Sequence, residues 1–153
     1  MPPAASLSPT ERRQRRWAAA LVWVCVATNT ASAAPPELSA QLLLAVNDYR
    51  QQQGLTALQP DAALSALAQD HSALMAAQRQ LSHAGFNSRF ERSGRRLCVE
   101  NLAFNHRQAA SLLAAWQRSP EHHANLLQPQ VQRVGIALVD GYLTLLACTP
   151  SGS

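Results

Sequence analysis

Two apolar stretches near the end of the chain constrain the fold most. Residues 134–139 and 142–148 are rich in β-branched and aliphatic side chains, and only Asp140 and Gly141 separate them. An Asp-Gly pair between two such stretches favours a two-residue turn, because both of its residues accept a positive φ. The sequence therefore predicts a β-hairpin. Residues 97–104 form a third apolar stretch, which we expect to be another strand of the same small sheet.

The first half of the chain carries the spacing of amphipathic helices. Apolar side chains recur every three or four residues from Leu38 until Gly54, and a second such run begins after Asp61. These runs predict two helices. Residues 81–96 hold glycine, asparagine and serine without a sustained period, so we expect a loop there with at most a short helical turn around Phe90.

Two later helices begin at capping patterns. Asn105 is followed three residues later by Gln108, which resembles a capping box and predicts a long helix that carries Trp116 in the core. Ser119 followed by Pro120 indicates a further helix start. Because helices come first and strands are then mixed with helices without a βαβ repeat, the sequence predicts an α+β fold.

The first 33 residues have the pattern of an export signal. Four arginines precede an apolar stretch at residues 17–27, and residues 31–33 supply the small side chains of a cleavage site. The apolar stretch is shorter than the roughly 20 residues that a membrane-spanning helix needs, so we expect cleavage after Ala33 and no retained membrane span. Residues 34–153 are then a single domain, which we expect to be a periplasmic or secreted monomer.

Charge and cysteine content narrow the partners of this domain. Residues 1–33 hold four of the 13 basic residues and one of the nine acidic ones, which leaves nine against eight in residues 34–153. The arginines are scattered and no lysine occurs, so the sequence argues against a nucleic-acid partner. Cys98 and Cys148 remain after processing. In an oxidising compartment such a pair forms one disulfide, and two buried thiols are the alternative.

Glu100 and His122 stand out because each is an ionisable side chain inside an apolar run. In a strand, Glu100 shares a face with Cys98, Leu102 and Phe104, where an unpaired carboxylate is costly to bury. In the first turn of a helix, His122 lies near the positive end of the helix dipole, which favours the neutral imidazole that binds a metal or accepts a proton. We expect both to line a site; a solvent-facing Glu100 and a capping or exposed His122 are the alternatives.

The other histidines are weaker candidates on local pattern alone. His71 lies in the middle of an apolar helix face, where a hydrogen-bonded core histidine is the alternative to a ligand. His83 lies on a glycine-containing loop, so a role for it depends on proximity to Glu100. His123 points about 100° away from His122 around a helix and is expected at the surface. No nucleophile elbow, His-Glu-x-x-His helix or phosphate loop occurs, which leaves hydrolysis by a standard nucleophile unsupported.

Six motifs follow one another along the chain. They are residues 68–76, 81–83, 100–103, Trp116, 119–127 and 134–137. In this order they resemble the short bacterial branch of the CAP superfamily, the group of cysteine-rich secretory proteins, antigen 5 and pathogenesis-related 1 proteins. The resemblance covers essentially all of residues 38–149 and implies an α-β-α sandwich, with helices on both sides of a small antiparallel sheet.

The resemblance also implies a cavity that two histidines and two glutamates line in longer family members, and that can hold zinc or another divalent ion. Position by position, His83 matches the first histidine, Glu100 one glutamate and His122 the second histidine, whereas the second glutamate has no clear match. We therefore expect a ligand-binding cavity formed by His83, Glu100, His122 and His71, with His83 and His122 as candidate metal ligands.

Three functions follow as hypotheses. The first is an exported binding module whose cleft takes a lipid, a cell-envelope component or a protein. The second is a metal-assisted hydrolase of cell-envelope or peptide substrates, in which His83 and His122 hold zinc and Glu100 is a ligand or the general base. The third is purely structural, with Glu100 and His122 as a buried hydrogen-bonded pair.

Overall fold

The predicted hairpin forms the centre of the sheet. The computed structural model describes residues 37–152, and the export signal predicted for residues 1–33 lies outside them. Strands β3 (Arg133–Val139) and β4 (Tyr142–Cys148) pair antiparallel. Asp140 and Gly141 join them with φ values of 47° and 86°. This confirms that the Asp-Gly pair supplies the two left-handed residues that the tight turn needs.

Two further strands flank the hairpin. Strand β2 (Cys98–Phe104) pairs antiparallel with β4, as predicted, while a two-residue strand β1 (Gln59–Pro60) pairs parallel with β3. The strand order is β1-β3-β4-β2, so the sheet is mixed rather than purely antiparallel. Strand β1 is too short to show a periodic pattern, and a tertiary contact positions it: the Asn47 side chain bonds both the N–H and the C=O of Leu58.

The sheet is covered on both faces by helices, which confirms the α-β-α sandwich. On one face, α2 (Ala62–Gln78) packs Leu64 and Leu67 against Leu146 of β4. On the other face, α1 (Leu38–Gln52) and α4 (Ala109–Arg118) cover the larger core. The buried residues of that core are Leu42, Val46, Leu58, Ala103, Ala109, Leu112, Trp116, Leu126, Val131, Val134, Leu143, Leu145 and Ala147.

Helix α2 approaches the sheet closely because of Gly135 on β3. A Cβ atom at that position would overlap the backbone of Leu64 and Ser65. The helix starts where the sequence predicts, since the Asp61 side chain accepts a hydrogen bond from the Leu64 N–H at 3.0 Å. The lack of a side chain at Gly135 therefore sets the distance between the sheet and helix α2, which carries His71.

Two local predictions are wrong. Residues 81–96 contain a helix of eight residues, α3 (Phe86–Ser93), rather than a loop with one turn. Asn105 does not cap α4, because it adopts a φ of 59° and its N–H bonds the Gly141 C=O, which extends the sheet by one bond. In both places a tertiary contact overrides the local pattern.

The short helix α5 (Pro120–Leu126) is held by a buried cation that the sequence pattern did not reveal. Arg50 of α1 is fully buried and its guanidinium donates to the carbonyl oxygens of Leu126, Gln128 and Val131 at 2.7, 3.1 and 3.2 Å. Burial lowers the pKa of Arg50 from its ordinary value. These bonds anchor the end of the helix that carries His122.

A disulfide joins Cys98 and Cys148, which confirms that pairing. The two residues lie opposite each other on β2 and β4, so the bond ties the outer strand to the hairpin. No helix in residues 37–152 is long and apolar enough to cross a membrane.

Candidate functional site

Glu100 lies buried under α3, and its carboxylate is fully engaged. Arg89 forms a bidentate pair with it: Nε donates to Oε2 at 2.8 Å and Nη2 donates to Oε1 at 2.7 Å. The Glu100 side chain is 2% exposed and that of Arg89 7%. A two-pronged, charge-assisted contact of this kind satisfies a buried carboxylate geometrically as well as electrostatically.

Arg89 is the important residue that sequence reasoning missed. Its Nη1 also donates to the Ala84 carbonyl at 2.8 Å, which ties α3 to the preceding turn. A charge argument could have predicted that Glu100 has a cationic partner. A buried Glu100 requires a cationic partner, and in a chain without lysine only an arginine or a histidine supplies one. Nothing local singles out Arg89 among the nine arginines of residues 34–153.

His83 contacts the same carboxylate from the outside. Its Nδ1 lies 2.9 Å from Glu100 Oε1, while 55% of its side chain is exposed. An ionised carboxylate only accepts hydrogen bonds, so Nδ1 carries the proton and Nε2 of a neutral ring remains an acceptor. The proximity to Glu100 that the sequence required for His83 is therefore present.

His71 also lies near Glu100, but its ring bonds a backbone carbonyl. Its Nε2 donates to the Ser82 carbonyl at 2.8 Å and lies 4.0 Å from Glu100 Oε1. Burial lowers the pKa of His71 from its ordinary value of 6.5, and the positive charge of Arg89 adds to this effect. The lowered pKa favours the neutral ring, whose buried Nδ1 has no hydrogen-bond partner among residues 37–152.

His122 lines a different cavity from the one that His83 and Glu100 line. Its Nδ1 lies 2.9 Å from Ser119 Oγ, and its ring stacks on that of Trp116 with the two ring centroids 6.2 Å apart. Burial lowers the pKa of His122 from 6.5, and the nearby His83 contributes in the same direction. The structural hypothesis of a Glu100–His122 pair is wrong, because Glu100 bonds Arg89 and His83 instead.

Two neighbouring cavities border β2. The first, of about 230 Å³, includes His83, Glu100 and Phe86, whereas His122 lines the second, of about 380 Å³, with Trp116 and Phe104. His71 and His83 thus lie close to the Glu100 carboxylate, whereas His71 and His122 each line a cavity other than the one that His83 and Glu100 share. That these four residues form one ligand-binding cavity stays a prediction.

Asparagine side chains lock α5 beside β2. Asn125 Nδ2 donates to the Glu100 carbonyl at 3.1 Å and to Asn101 Oδ1 at 2.9 Å. Asn101 Nδ2 donates in turn to the His122 carbonyl at 3.1 Å. His123 is half-buried rather than at the surface, since the Tyr49 hydroxyl lies 2.6 Å from its Nε2. The two adjacent histidines therefore serve separate contacts, as the helical geometry predicts.

The pattern of the cysteine-rich secretory protein family, CAP, matches residues 43–145. The chain belongs to this family. It is similar to the uncharacterized protein YkwD of Bacillus subtilis (strain 168), with 29% identity over 123 residues, 74% of this chain. Because the match covers 48% of that protein, the chain spans about half the length of this curated relative.

Solved structures agree with the CAP fold. An extracellular protein of Bacillus anthracis that contains an SCP domain is 26% identical with a TM-score of 0.68, over 73% of this chain and 40% of that one. An outer surface protein of Borrelia burgdorferi is 20% identical with a TM-score of 0.64, over 71% of this chain and 89% of that one. The second likeness shows the fold alone.

The residues of this CAP domain do not fit the three-ligand metal site that the resemblance implies. In residues 37–152, no three histidine, cysteine or acidic side chains are arranged to hold a metal ion. Both Glu100 oxygens already accept hydrogen bonds from Arg89. A catalytic zinc needs about three protein ligands, so zinc binding by His83 and His122 stays a prediction that these contacts do not favour.

Proposed function

We propose that this CAP domain is a binding module that works outside the cytoplasm and contacts its ligand through the cleft beside β2. The ligand is a cell-envelope component, a lipid or a protein. The observation that carries the proposal is the arrangement around Glu100. A carboxylate held by Arg89 on both oxygens serves as a fixed support, and it presents the half-exposed His83 ring in one orientation.

The same contacts argue for binding rather than for base catalysis by Glu100. A general base needs a lone pair within reach of the substrate's proton. The Glu100 side chain is 2% exposed and bonds two nitrogen atoms of Arg89 and one of His83. The polar groups of the two cavities, apart from the engaged Glu100, are imidazole rings with Asn125 and Ser119 beside apolar side chains, which is the usual composition of a ligand cleft.

Location outside the cytoplasm is supported by three features. One of the similar structures, at 26% identity, is that of an extracellular protein. The basic and apolar pattern of residues 1–33 predicts an export signal. A disulfide between Cys98 and Cys148 agrees with an oxidising compartment.

The test uses the five histidines as reporters. The ring signals of purified protein labelled with ¹³C at histidine are followed by NMR during titration with lipid, glycan and peptide fractions of a bacterial envelope. We expect one fraction to shift the His83 and His122 signals and to leave His123 in place, because His123 bonds Tyr49 on the far side of α5.

Two variants sharpen this experiment. His83→Gln should weaken binding of the active fraction, whereas His123→Gln should not. Recovery of the bound molecule with unchanged mass supports binding. Its recovery in cleaved form, with cleavage that depends on added zinc, would instead establish the hydrolase. If no fraction moves the His83 or His122 signal, the proposal is refuted.

A further inference from the structure

The outer edge of β2 carries an inference about the class of ligand. We infer that this edge binds the C-terminal end of an extended apolar peptide of a partner protein, with the terminal carboxylate at the Leu102 N–H beside His122. The inference rests on the proposed binding function and makes it specific.

The pairing register shows which peptide groups face outward. Strand β2 is the last in the order β1-β3-β4-β2, so no strand of residues 37–152 pairs with its outer edge. The Thr149 N–H bonds the Leu97 carbonyl and the Asn105 N–H bonds the Gly141 carbonyl, so the odd-numbered residues of this segment face β4. By the alternation of an antiparallel ladder, the peptide groups of Glu100, Leu102 and Phe104 face outward.

Side chains already occupy part of this edge. Asn125 donates to the Glu100 carbonyl at 3.1 Å, and the Trp116 indole donates to the Leu102 carbonyl at 3.1 Å. An added strand can therefore exchange both hydrogen bonds with Phe104, but at Leu102 mainly a donor remains. An edge that ends in a lone N–H suits a strand that ends in an acceptor, which is what a chain's own carboxylate provides.

The groove along this edge has side chains suited to an apolar peptide that ends in a carboxylate. Its volume is about 380 Å³ and its walls are mostly apolar, with no acidic side chain among them. Leu81 and Phe104, which are 48% and 49% exposed, both line this groove and give it an apolar wall that faces solvent. His106 and His122 supply polar groups that can donate to a carboxylate.

These features define the pose. The peptide runs antiparallel to β2, with one residue opposite Phe104 and its last residue opposite Leu102. Alternate side chains of the peptide then enter the groove beside Ala115 and Trp116. A free carboxylate is the feature that distinguishes this ligand from an internal loop of a protein.

The experiment measures fluorescence anisotropy with the full chain. The probe is a pentapeptide of alternating threonine and valine that ends in valine, labelled with fluorescein at its N-terminus. We expect the free acid to bind at least about tenfold more tightly than the same peptide with a C-terminal amide, because the amide loses the charge-assisted bond.

Three variants on α4 test the position of the carboxylate. Ala115→Glu places a negative charge in the groove and should weaken binding of the free acid several-fold more than Ala115→Lys, which adds similar bulk with the opposite charge. Ala110→Glu, an exposed position on the same helix, should leave binding unchanged. Equal loss with Ala115→Glu and Ala115→Lys would show a steric effect only and would overturn the role of the carboxylate.

The remaining outcomes separate this inference from the proposed function. If neither peptide binds while an envelope fraction still shifts the His83 signal, the inference fails and the binding module stands. Equal affinity for acid and amide, or binding of dodecanoate in place of the peptide, also overturns it. A dimer seen by sedimentation velocity and abolished by Ala115→Glu would make the edge a contact between copies, which contradicts the inference.

Discussion

Replacement of Arg89 by methionine tests whether the Glu100 carboxylate depends on its buried partner. Arg89 supplies two of the three hydrogen bonds that the carboxylate accepts from side chains, at 2.7 and 2.8 Å, and His83 supplies the third at 2.9 Å. Removal of one partner of a buried pair costs about 3–5 kcal/mol because the other charge is left uncompensated. Since His83 remains, we expect Arg89→Met to lower the free energy of unfolding by about 3 kcal/mol.

The matched control lies one turn away on the same helix. Arg92 pairs with Asp70 at 3.1 Å, but the two side chains are 57% and 63% exposed. An exposed pair contributes about 0–1 kcal/mol, so Arg92→Met should change stability little. Urea unfolding followed by circular dichroism measures both variants, and Arg89→Met should also lower the melting temperature by about 10 °C.

A double-mutant cycle identifies the cause. Once Glu100→Gln removes the charge, the additional loss from Arg89→Met should shrink to about 1 kcal/mol, because no buried charge is left unpaired. If Arg89→Met costs no more than Arg92→Met, or if its cost is the same with Glu100 and with Gln at that position, the buried pair is not what holds this region.

Three further predictions concern the scaffold. The depressed pKa of His71 means that the unfolded chain binds a proton before the folded one, so the free energy of unfolding should fall as the pH drops below about 6.5, and His71→Gln should reduce that slope in urea titrations at several pH values. Reduction of the disulfide between Cys98 and Cys148, 50 residues apart, should cost about 4 kcal/mol, checked by calorimetry with and without reductant; an unchanged melting temperature would contradict it. Gly135→Ala should destabilise the domain by about 1–3 kcal/mol in the same calorimetric measurement, because its Cβ would overlap the Leu64 backbone; a neutral effect would show that α2 can retreat at no cost.

The elements that short-range interactions determine were predicted correctly from the sequence, whereas elements that long-range contacts hold were missed. The Asp140-Gly141 turn, the helix start at Asp61 and the start at Pro120 depend on groups within a few residues, and the structure confirms each of them. The motifs shared with CAP proteins also predicted the sandwich correctly. Strand β1 and helix α3 escaped prediction because distant partners hold them: Asn47 positions the first through Leu58, and Glu100 anchors the second through Arg89.

For the site, the sequence alone determined that Glu100 is an ionisable group inside an apolar run and that His83, His122 and His71 are candidates to accompany it. Only the tertiary structure decided the pairings. The Glu100 carboxylate bonds Arg89 and His83, and His122 lies in the adjacent groove with Ser119. The outer edge of β2 has no paired strand among residues 37–152. The physical reason is that the apolar neighbours of a residue in sequence indicate that its charge will be costly to bury. The group that compensates the charge is selected by packing across the fold.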